Sequence, residues 1–238
     1  MEKINIITPV KDSIELTLET VRSIMSSNIT TPFSYTIYND CSTPENTARL
    51  EVAAKEYGIN LVNIASITTN PSPNYRLILQ LAQKQSLVEK AGLLIIESDV
   101  VLEKDAIQSL FDEAVIRTDC GIAAAVTVDD EGKINYPYLY AKNRKKGVYE
   151  ERKHLSFCCS LLTLNFLQSY SFEKLNPEKH WHDTAISNES KKNGFKNYLF
   201  TNISVLHHPH SSRPWKMLKY TNPFKYYWTK YTKGFDKI

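Results

Sequence analysis

Residues 92–107, GLLIIESDVVLEKDAI, hold the pattern that decides the fold prediction. The aliphatic run at 93–96 is continuous, which is typical of a strand buried on both faces, as in a parallel sheet. The run stops at Glu97, Ser98 and Asp99. Side chains two positions apart in a strand point to the same side. The two carboxylates are therefore predicted to face one ligand at the edge of a sheet.

The first half of the chain alternates predicted strands with predicted helices. The strands are 4–10, 33–40, 60–66 and 93–98, and the helices are 13–27, 43–58 and 74–92. This alternation implies βαβ units, so we expect an α/β fold with a Rossmann-like, mostly parallel sheet flanked by helices. Ligands of such sheets bind at the carboxyl ends of the strands. Those ends carry Thr8-Pro9, Asn39-Asp40 and Glu97-Ser98-Asp99.

The second half is less regular. A strand is predicted from residue 120 to a turn at 130–132, and a short helix at 165–172. A longer helix is predicted at 183–194 and a late strand at 196–208. The composition changes only after residue 212, where aromatic and basic residues dominate. We therefore expect one domain over 1–212 and a C-terminal extension over 213–238.

Composition restricts the class of protein. The chain has 238 residues, of which 42% are hydrophobic and 23% charged, as in a soluble globular protein with a substantial core. A net charge of +3 is too small and too mixed to indicate nucleic-acid binding. Four cysteines without CxxC spacing suggest reduced thiols in a cytoplasmic protein. The sequence shows no signal peptide and no run of about 18 apolar residues, so we expect a protein that is soluble or peripheral to a membrane.

The carboxylates of Glu97 and Asp99 suggest a cation site. Two converging carboxylates repel each other unless a cation or a proton lies between them, and Mn²⁺ or Mg²⁺ prefers oxygen ligands. His207, His208 and His210 cluster at the end of the late strand and could add an imidazole ligand. Alternatively, the carboxylates cap the next helix or lie in a solvated loop.

Two other stretches have both a chemical and a structural interpretation. Asp40 and Ser42 could accept hydrogen bonds from a nucleobase or ribose, or Ser42 or Thr43 could cap the following helix. Asp183 could take a proton from a hydroxyl nucleophile, or it could stabilise its helix through the macrodipole. Taken alone, the first stretch slightly favours the capping role, and the second favours neither.

Five stretches follow one another along the chain: IITPVKD, YNDCST, IIESDVVLEKDAI, WHDTAIS with KKNGFK, and VLHH. Their order resembles that of the family 2 glycosyltransferases, which are inverting nucleotide-sugar transferases of the A-type fold. The resemblance runs from about Ile4 to about His208. It implies a nucleotide-sugar-binding half at 1–110 and an acceptor-binding half at 111–212.

The resemblance assigns donor-binding residues by position. Pro9 and Val10 would line the nucleobase pocket, with Asp12 close behind them, and Asp40 would contact the base. Arg76 would be the cation near the donor phosphates, although the glycines that the family often has in this stretch are absent.

The resemblance also assigns a metal site. Asp99 corresponds to the last carboxylate of the D-x-D motif, which binds the metal held by the diphosphate. His207 or His208 would complete that site. Glu97 replaces the first aspartate of the motif, and we expect Glu97 and Ser98 to contact the nucleotide sugar.

Asp183 corresponds to the base that deprotonates the acceptor hydroxyl, although His182 stands where a glutamate is common. The implied reaction is the inverting transfer of a sugar from a UDP-, GDP- or dTDP-linked donor to a glycan or lipid-linked acceptor. It requires a divalent cation, Mn²⁺ or Mg²⁺, and is expected to serve surface polysaccharide synthesis. The alternative is a catalytically silent sugar-nucleotide or glycan-binding module of the same fold, because Glu97, His182 and the missing glycines depart from the family pattern.

The extension at 213–238 interleaves eight aromatic residues with lysines and contains a single acid, Asp236. Such a segment could contact an anionic membrane surface, where a lipid-linked acceptor would be presented. It could equally pack on the core or on a second subunit, or stack on sugar rings.

Overall fold

The computed structural model describes residues 1–179, 181–208, 218 and 222–232. The chain divides into two compact units, Met1–His207 and His208–Ile238. The division falls a few residues before the change in composition at 213. The assignment of 1–110 to the nucleotide sugar and of 111–212 to the acceptor stays a prediction.

The described part of the first unit contains nine strands and six helices. The strands are β1 (Ile4–Val10), β2 (Phe33–Asn39), β3 (Asn60–Asn63), β4 (Gly92–Ile96), β5 (Val100–Leu102), β6 (Cys120–Val128), β7 (Val148–Glu150), β8 (Cys159–Leu162) and β9 (Lys196–His207). The helices are α1 (Ile14–Met25), α2 (Pro44–Tyr57), α3 (Tyr75–Val88), α4 (Ala106–Ile116), α5 (Leu164–Ser169) and α6 (His182–Lys192). Short 3₁₀ turns occur at Ile64–Ser66, Leu139–Ala141 and Phe172–Lys174. Helix α7 (Pro223–Thr232) belongs to the second unit.

The nine strands form one sheet in the order β3-β2-β1-β4-β8-β6-β9-β5, and β7 pairs with β9 outside that path. Strands β1, β2, β3, β4, β6 and β9 run in one direction, and β5, β7 and β8 run in the other. The expected α/β fold with a mostly parallel sheet is confirmed. Within the part of the chain that the structure describes, no helix is long and apolar enough to cross a bilayer.

The sheet is curled rather than flat. Only residues 97–99 separate β4 from β5, and this length of chain spans at most about 14 Å. In a flat sheet, four strand spacings would separate β4 from β5 by about 19 Å. The register of β6 against β9 shifts between Ala125 and Val126, and irregularities of this kind bend a sheet. The curl therefore brings the end of β9 close to the end of β4.

Alternate residues of β1 enter two apolar cores, one on each face of the sheet. Ile4 and Ile6 belong to the first core, to which α1, α2 and α4 contribute side chains. Ile7 belongs to the second core, with side chains from α3, α5 and α6. Burial on both faces is what the continuous aliphatic runs predicted.

Two strand boundaries differ from the predicted ones. β4 ends at Ile96 rather than at residue 98, so Glu97 and Asp99 lie in a turn and the alternation of side chains along a strand does not bring them together. β3 ends at Asn63, and the chain continues as the 3₁₀ turn Ile64–Ser66. Helix α4, which packs on the first core, was not predicted.

Gly121 in β6 is required by the close approach of α6. A Cβ at Gly121 would lie 2.1 Å from Ser190 Oγ and 2.7 Å from Phe195 Cβ. The Ser190 hydroxyl has little freedom to move, because it donates a hydrogen bond of 2.7 Å to the buried side chain of Asn197.

We expect Gly121→Ala to lower the free energy of unfolding by about 1–3 kcal/mol, because the added methyl group overpacks a filled contact. Urea-induced unfolding followed by circular dichroism measures this loss. Gly147→Ala is the matched control, since a Cβ there would meet only Tyr149 Cε2 at 3.9 Å. Equal losses of stability in the two variants would contradict the packing explanation.

Candidate active site

Four strand ends meet at one place on the edge of the sheet. The last residue of β4 pairs with the first residue of β8, and the first residue of β5 pairs with the last residue of β9. The backbone amide of Glu97 donates to the carbonyl of Cys158 over 3.0 Å. The turn that contains Glu97, Ser98 and Asp99 is therefore bordered by Cys158, just before β8, and by His207, at the end of β9.

Glu97, Asp99, Cys158 and His207 form a polar group that we call the Glu97 cluster. The thiol of Cys158 donates to Glu97 Oε2 over 3.2 Å and lies 3.9 Å from His207 Nε2. His207 Nε2 also lies 3.4 Å from Asp99 Oδ2. One ligand atom from each of Glu97, Cys158 and His207 lies within 4.8 Å of the others. This spacing would allow the side chains to share one cation.

The ring of His207 is oriented by a backbone contact. Its Nδ1 lies 2.7 Å from the carbonyl of Tyr136, and a carbonyl only accepts, so Nδ1 carries the proton of this hydrogen bond. Nε2 therefore faces Asp99 and Cys158. The side-chain amide of Asn135 donates to the carbonyl of His207 over 2.9 Å and supports the same segment. Histidines that bind metals commonly donate their second ring N–H in this way.

Burial and neighbouring charges shift three pKa values in the Glu97 cluster. Burial raises the pKa of Glu97, and the charges of Asp99 and Asp183 raise it further against the opposing effects of His207 and Cys158. Burial alone would lower the pKa of His207, but its hydrogen bond to Asp99 and the nearby carboxylate charges raise it. Burial and then the same carboxylates raise the pKa of the Cys158 thiol. A divalent cation would relieve this excess of negative charge.

Asp183 lies in the first turn of α6 and is partly buried. Its Oδ1 accepts a hydrogen bond of 2.8 Å from the backbone amide of Thr184. Its charge contributes to the raised pKa of Glu97, so Asp183 lies within electrostatic reach of the cluster. The buried ring of His182 has its centroid 6.1 Å from that of Tyr75, at the start of α3. The first turns of α6 and α3 are therefore neighbours.

Hydrogen bonds join the loops that follow β1 and β2. The amide of Asp12 donates to Ser42 Oγ over 2.9 Å, and Asp12 Oδ1 accepts from the Thr43 amide at 2.8 Å and from Asn46 at 3.1 Å. These two bonds lower the pKa of Asp12. Of the two predicted caps, Thr43 caps α2. Asp12 and Cys41 have φ values of 58° and 60°, a conformation that costs energy in residues other than glycine and that clusters at functional sites.

The buried carboxylate of Asp40 connects the end of β2 to the start of α3. Its Oδ2 accepts from the Ser72 hydroxyl at 2.7 Å and from the Asn74 amide at 2.8 Å, and its Oδ1 accepts from the Asn74 side chain at 2.8 Å. In this structure Asp40 therefore orders the loop before α3. Its predicted contact with a nucleobase stays a prediction.

The other predicted site residues occupy three different places. Pro9 and Val10 end β1, which lies beside β4, and Ser98 is buried in the turn after β4. Arg76 lies in the first turn of α3 and forms no hydrogen bond or ion pair with the residues that the structure describes. His208 is the first residue of the second unit, and its role as a metal ligand stays a prediction.

Sequence reasoning missed four residues of this site. Cys158 and Tyr136 surround His207, and Ser72 and Asn74 hold the carboxylate at the end of β2. Cys158 is 61 positions from the glutamate to which it donates. No local spacing rule connects these positions, because the contacts depend on the antiparallel placement of β8 and on the curl of the sheet.

Known glycosyltransferase structures share this fold. The chain matches the mannosyltransferase PcManGT from Pyrobaculum calidifontis, solved with GDP-Man and Mn²⁺, with a TM-score of 0.66 and 11% identity over 95% of this chain and 63% of that one. It matches residues 1–349 of S. aureus TarS, solved with UDP-GlcNAc, with a TM-score of 0.59 and 13% identity over 89% of this chain and 60% of that one. The chain thus spans less than two thirds of either protein. The expected A-type glycosyltransferase fold is confirmed.

No known protein family matches the sequence, and no curated protein does either.

We expect Asp40→Ala to lower the free energy of unfolding by about 1–3 kcal/mol, because the buried backbone amide of Asn74 and the partly buried hydroxyl of Ser72 lose their acceptor. Hydrogen exchange at residues 70–76 should accelerate in the variant. Asp112→Ala removes an exposed carboxylate whose hydrogen bond comes from Gln108, and it should leave stability within about 0.5 kcal/mol of the wild type. Unchanged exchange at 70–76 in Asp40→Ala would show that the loop does not depend on this carboxylate.

Proposed function

We propose that the protein is a metal-dependent inverting glycosyltransferase of the family 2 type. It would move a sugar from a nucleoside-diphosphate sugar to a hydroxyl of a glycan or lipid-linked acceptor. The observation that carries this proposal is the Glu97 cluster at the carboxyl edge of an A-type glycosyltransferase fold, with Asp183 within electrostatic reach of it.

Asp99 and His207 are the residues that would hold the cation. Glu97 and Cys158 lie beside them, so the available donors are carboxylate oxygens, one imidazole nitrogen and a thiol. Carboxylates suit both Mg²⁺ and Mn²⁺, and Mg²⁺ favours oxygen ligands alone, so the imidazole favours Mn²⁺. A cation bound here would act as a Lewis acid toward the leaving diphosphate.

The donor would lie along the ends of β1, β2 and β4. In this proposal Pro9 and Val10 line the nucleobase pocket, and Asp12 and Asp40 contact the nucleoside or hold the loops that do. Arg76 has its guanidinium uncommitted among the described residues and would approach the donor phosphates. Ser98 and Glu97 would contact the sugar nucleotide beside the cation.

Asp183 would act as the base. As the acceptor oxygen bonds to the anomeric carbon, its proton passes to the Asp183 carboxylate. The bond from that carbon to the diphosphate oxygen breaks, and the electron pair leaves with the diphosphate. Because the acceptor attacks opposite to the leaving group, the anomeric configuration inverts. No covalent intermediate with the protein is needed.

The solved glycosyltransferases support the class of donor. PcManGT was solved with GDP-Man and Mn²⁺, and TarS with UDP-GlcNAc. By extension, we propose a nucleoside-diphosphate sugar and a divalent cation for this chain. We also propose that the protein acts in the cytoplasm, in the synthesis of a surface polysaccharide.

A catalytically silent binding module of the same fold is the second candidate. The observation that favours it is that the carboxylates of Asp12 and Asp40 accept hydrogen bonds from the protein itself. Such a module would bind a sugar nucleotide or a glycan without cleaving the donor.

We expect one of the UDP-, GDP- or dTDP-sugars to raise the melting temperature by about 5–10 °C when its concentration is about 100 times Kd and Mn²⁺ is present. Without Mn²⁺ the increase should largely disappear. Asp99→Asn should abolish it, because this substitution removes a charged ligand of the cation. Asp112→Asn, on the exposed side of α4, is the matched control and should respond as the wild type does. If no nucleotide sugar shifts the midpoint of any of these proteins, neither the enzyme nor a nucleotide-binding module is supported.

We expect Asp183→Asn to slow release of nucleoside diphosphate from the donor by about 10²–10⁴-fold, because the proton acceptor is lost. Its thermal shift with nucleotide and Mn²⁺ should remain. Glu189→Gln alters a carboxylate on the same helix that pairs with Lys192, and it should keep full activity. A donor that binds to the wild type but is never cleaved, with or without acceptor glycans, would identify the silent module instead.

A further inference from the structure

Helix α7 presents four aromatic side chains to solvent. The exposed fractions of Phe224, Tyr227, Trp228 and Tyr231 are 81%, 54%, 65% and 78%. Their spacing of three, four and seven residues places them on one face, and at 3.6 residues per turn they cover an arc of about 100°. Tyr226 lies on the other side of the helix and is buried. The stripe of four is therefore an apolar surface in contact with water.

Positive charge flanks this aromatic stripe. Lys225 and Lys230 project from α7 about 60° beyond its two edges. The sequence from Arg213 to Phe235 contains six basic residues and no acidic residue. An aromatic face between lysines is the arrangement in which aromatic rings enter a lipid head-group layer while ammonium groups stay near the phosphates.

We propose that the aromatic stripe of α7 docks the protein on an anionic lipid bilayer. The helix has ten residues and is about 15 Å long, so it would lie in the plane of the interface. Tryptophan and tyrosine are the side chains that favour this region, and each lysine near an anionic surface adds to the attraction.

The composition of the stripe favours lipid over a second copy of the chain. A symmetric contact between two stripes would bring the flanking lysines of both copies together, with no acid among them to offset the repulsion. The stripe also contains no leucine, isoleucine or valine, which are the residues that usually interlock between packed helices. An anionic lipid surface offers an apolar layer to the aromatic rings and negative charge to the lysines.

Flotation of the full chain with lipid vesicles tests the proposal. We expect partition into vesicles of phosphatidylcholine with about one quarter phosphatidylglycerol to exceed partition into pure phosphatidylcholine by about tenfold or more. Trp228→Ser/Tyr231→Ser should lower binding to the anionic vesicles by about tenfold or more, because it removes half of the stripe. Val88→Ser/Ile116→Ser changes two side chains of comparable exposure on α3 and α4 and should bind as the wild type does.

A charge-reversal pair tests the lysines separately. Lys225→Glu/Lys230→Glu should weaken anionic binding by about tenfold or more, and Lys84→Glu/Lys104→Glu, with the same change in net charge, should weaken it much less. Equal effects of the two pairs would overturn the assignment to α7.

Quenching of tryptophan fluorescence measures directly how deeply the aromatic stripe enters the bilayer. Brominated acyl chains should quench the tryptophan fluorescence of the wild type more than that of Trp228→Phe. This variant keeps an aromatic ring at the position but removes the indole. Absence of vesicle binding in the wild type overturns the proposal. If the wild type sediments as a dimer and Trp228→Ser/Tyr231→Ser sediments as a monomer, the occupant of the stripe is a second copy of the chain. None of these measurements needs a nucleotide sugar, so their outcome is independent of the proposed reaction.

Discussion

The short connection between β4 and β5 is the constraint on which the rest of the site depends. Three residues must take the chain from a central strand to one that pairs with the end of β9. The chain is too short to cross a flat sheet, so the sheet curls and His207 comes to lie against Asp99. The same turn places Glu97 beside Cys158, the residue before β8, whose thiol donates to it. The site thus results from chain connectivity as much as from the choice of side chains.

Much of the fold could be predicted from the sequence, because its signals are local. The continuous aliphatic runs of β1 and β4 and the alternation with α1, α2 and α3 indicate a buried parallel sheet without reference to distant residues. The spacing of Glu97 and Asp99 predicted that they face one ligand, and the family resemblance predicted that Asp99 shares a metal with His207 or His208. In the structure Glu97, Asp99 and His207 lie together, and their role in binding a metal stays a prediction. Cys158 and Tyr136 could not be predicted, since their contacts with the cluster depend on antiparallel pairing and on the irregular register between β6 and β9. Helix α4 was missed although its apolar residues have helical spacing.

The edge of the sheet at the carboxyl ends of the parallel strands combines features that destabilise the fold with hydrogen bonds that offset them. In the Glu97 cluster, burial and the charge of Asp99 raise the pKa of Glu97, and Asp12 and Cys41 adopt left-handed backbone conformations. Against these, Asp12 accepts hydrogen bonds from Thr43 and from Asn46 in α2, and Asp40 accepts three from Ser72 and Asn74. The loops around the predicted donor pocket are thereby ordered without the glycines that the family often has there, and strain of this kind is typical of functional sites.

Helix α6 is held at one end and carries Asp183 at the other. In its second half, the Ser187 hydroxyl accepts from the Leu155 amide, and Ser190 donates to Asn197, next to the tight contact at Gly121. These contacts begin about one helical turn beyond Asp183. Under the proposed function, evolutionary change in the segment before α6 would alter which acceptor is bound, while the second half of the helix keeps the proposed base in place. Acceptor choice and proton transfer would then evolve separately.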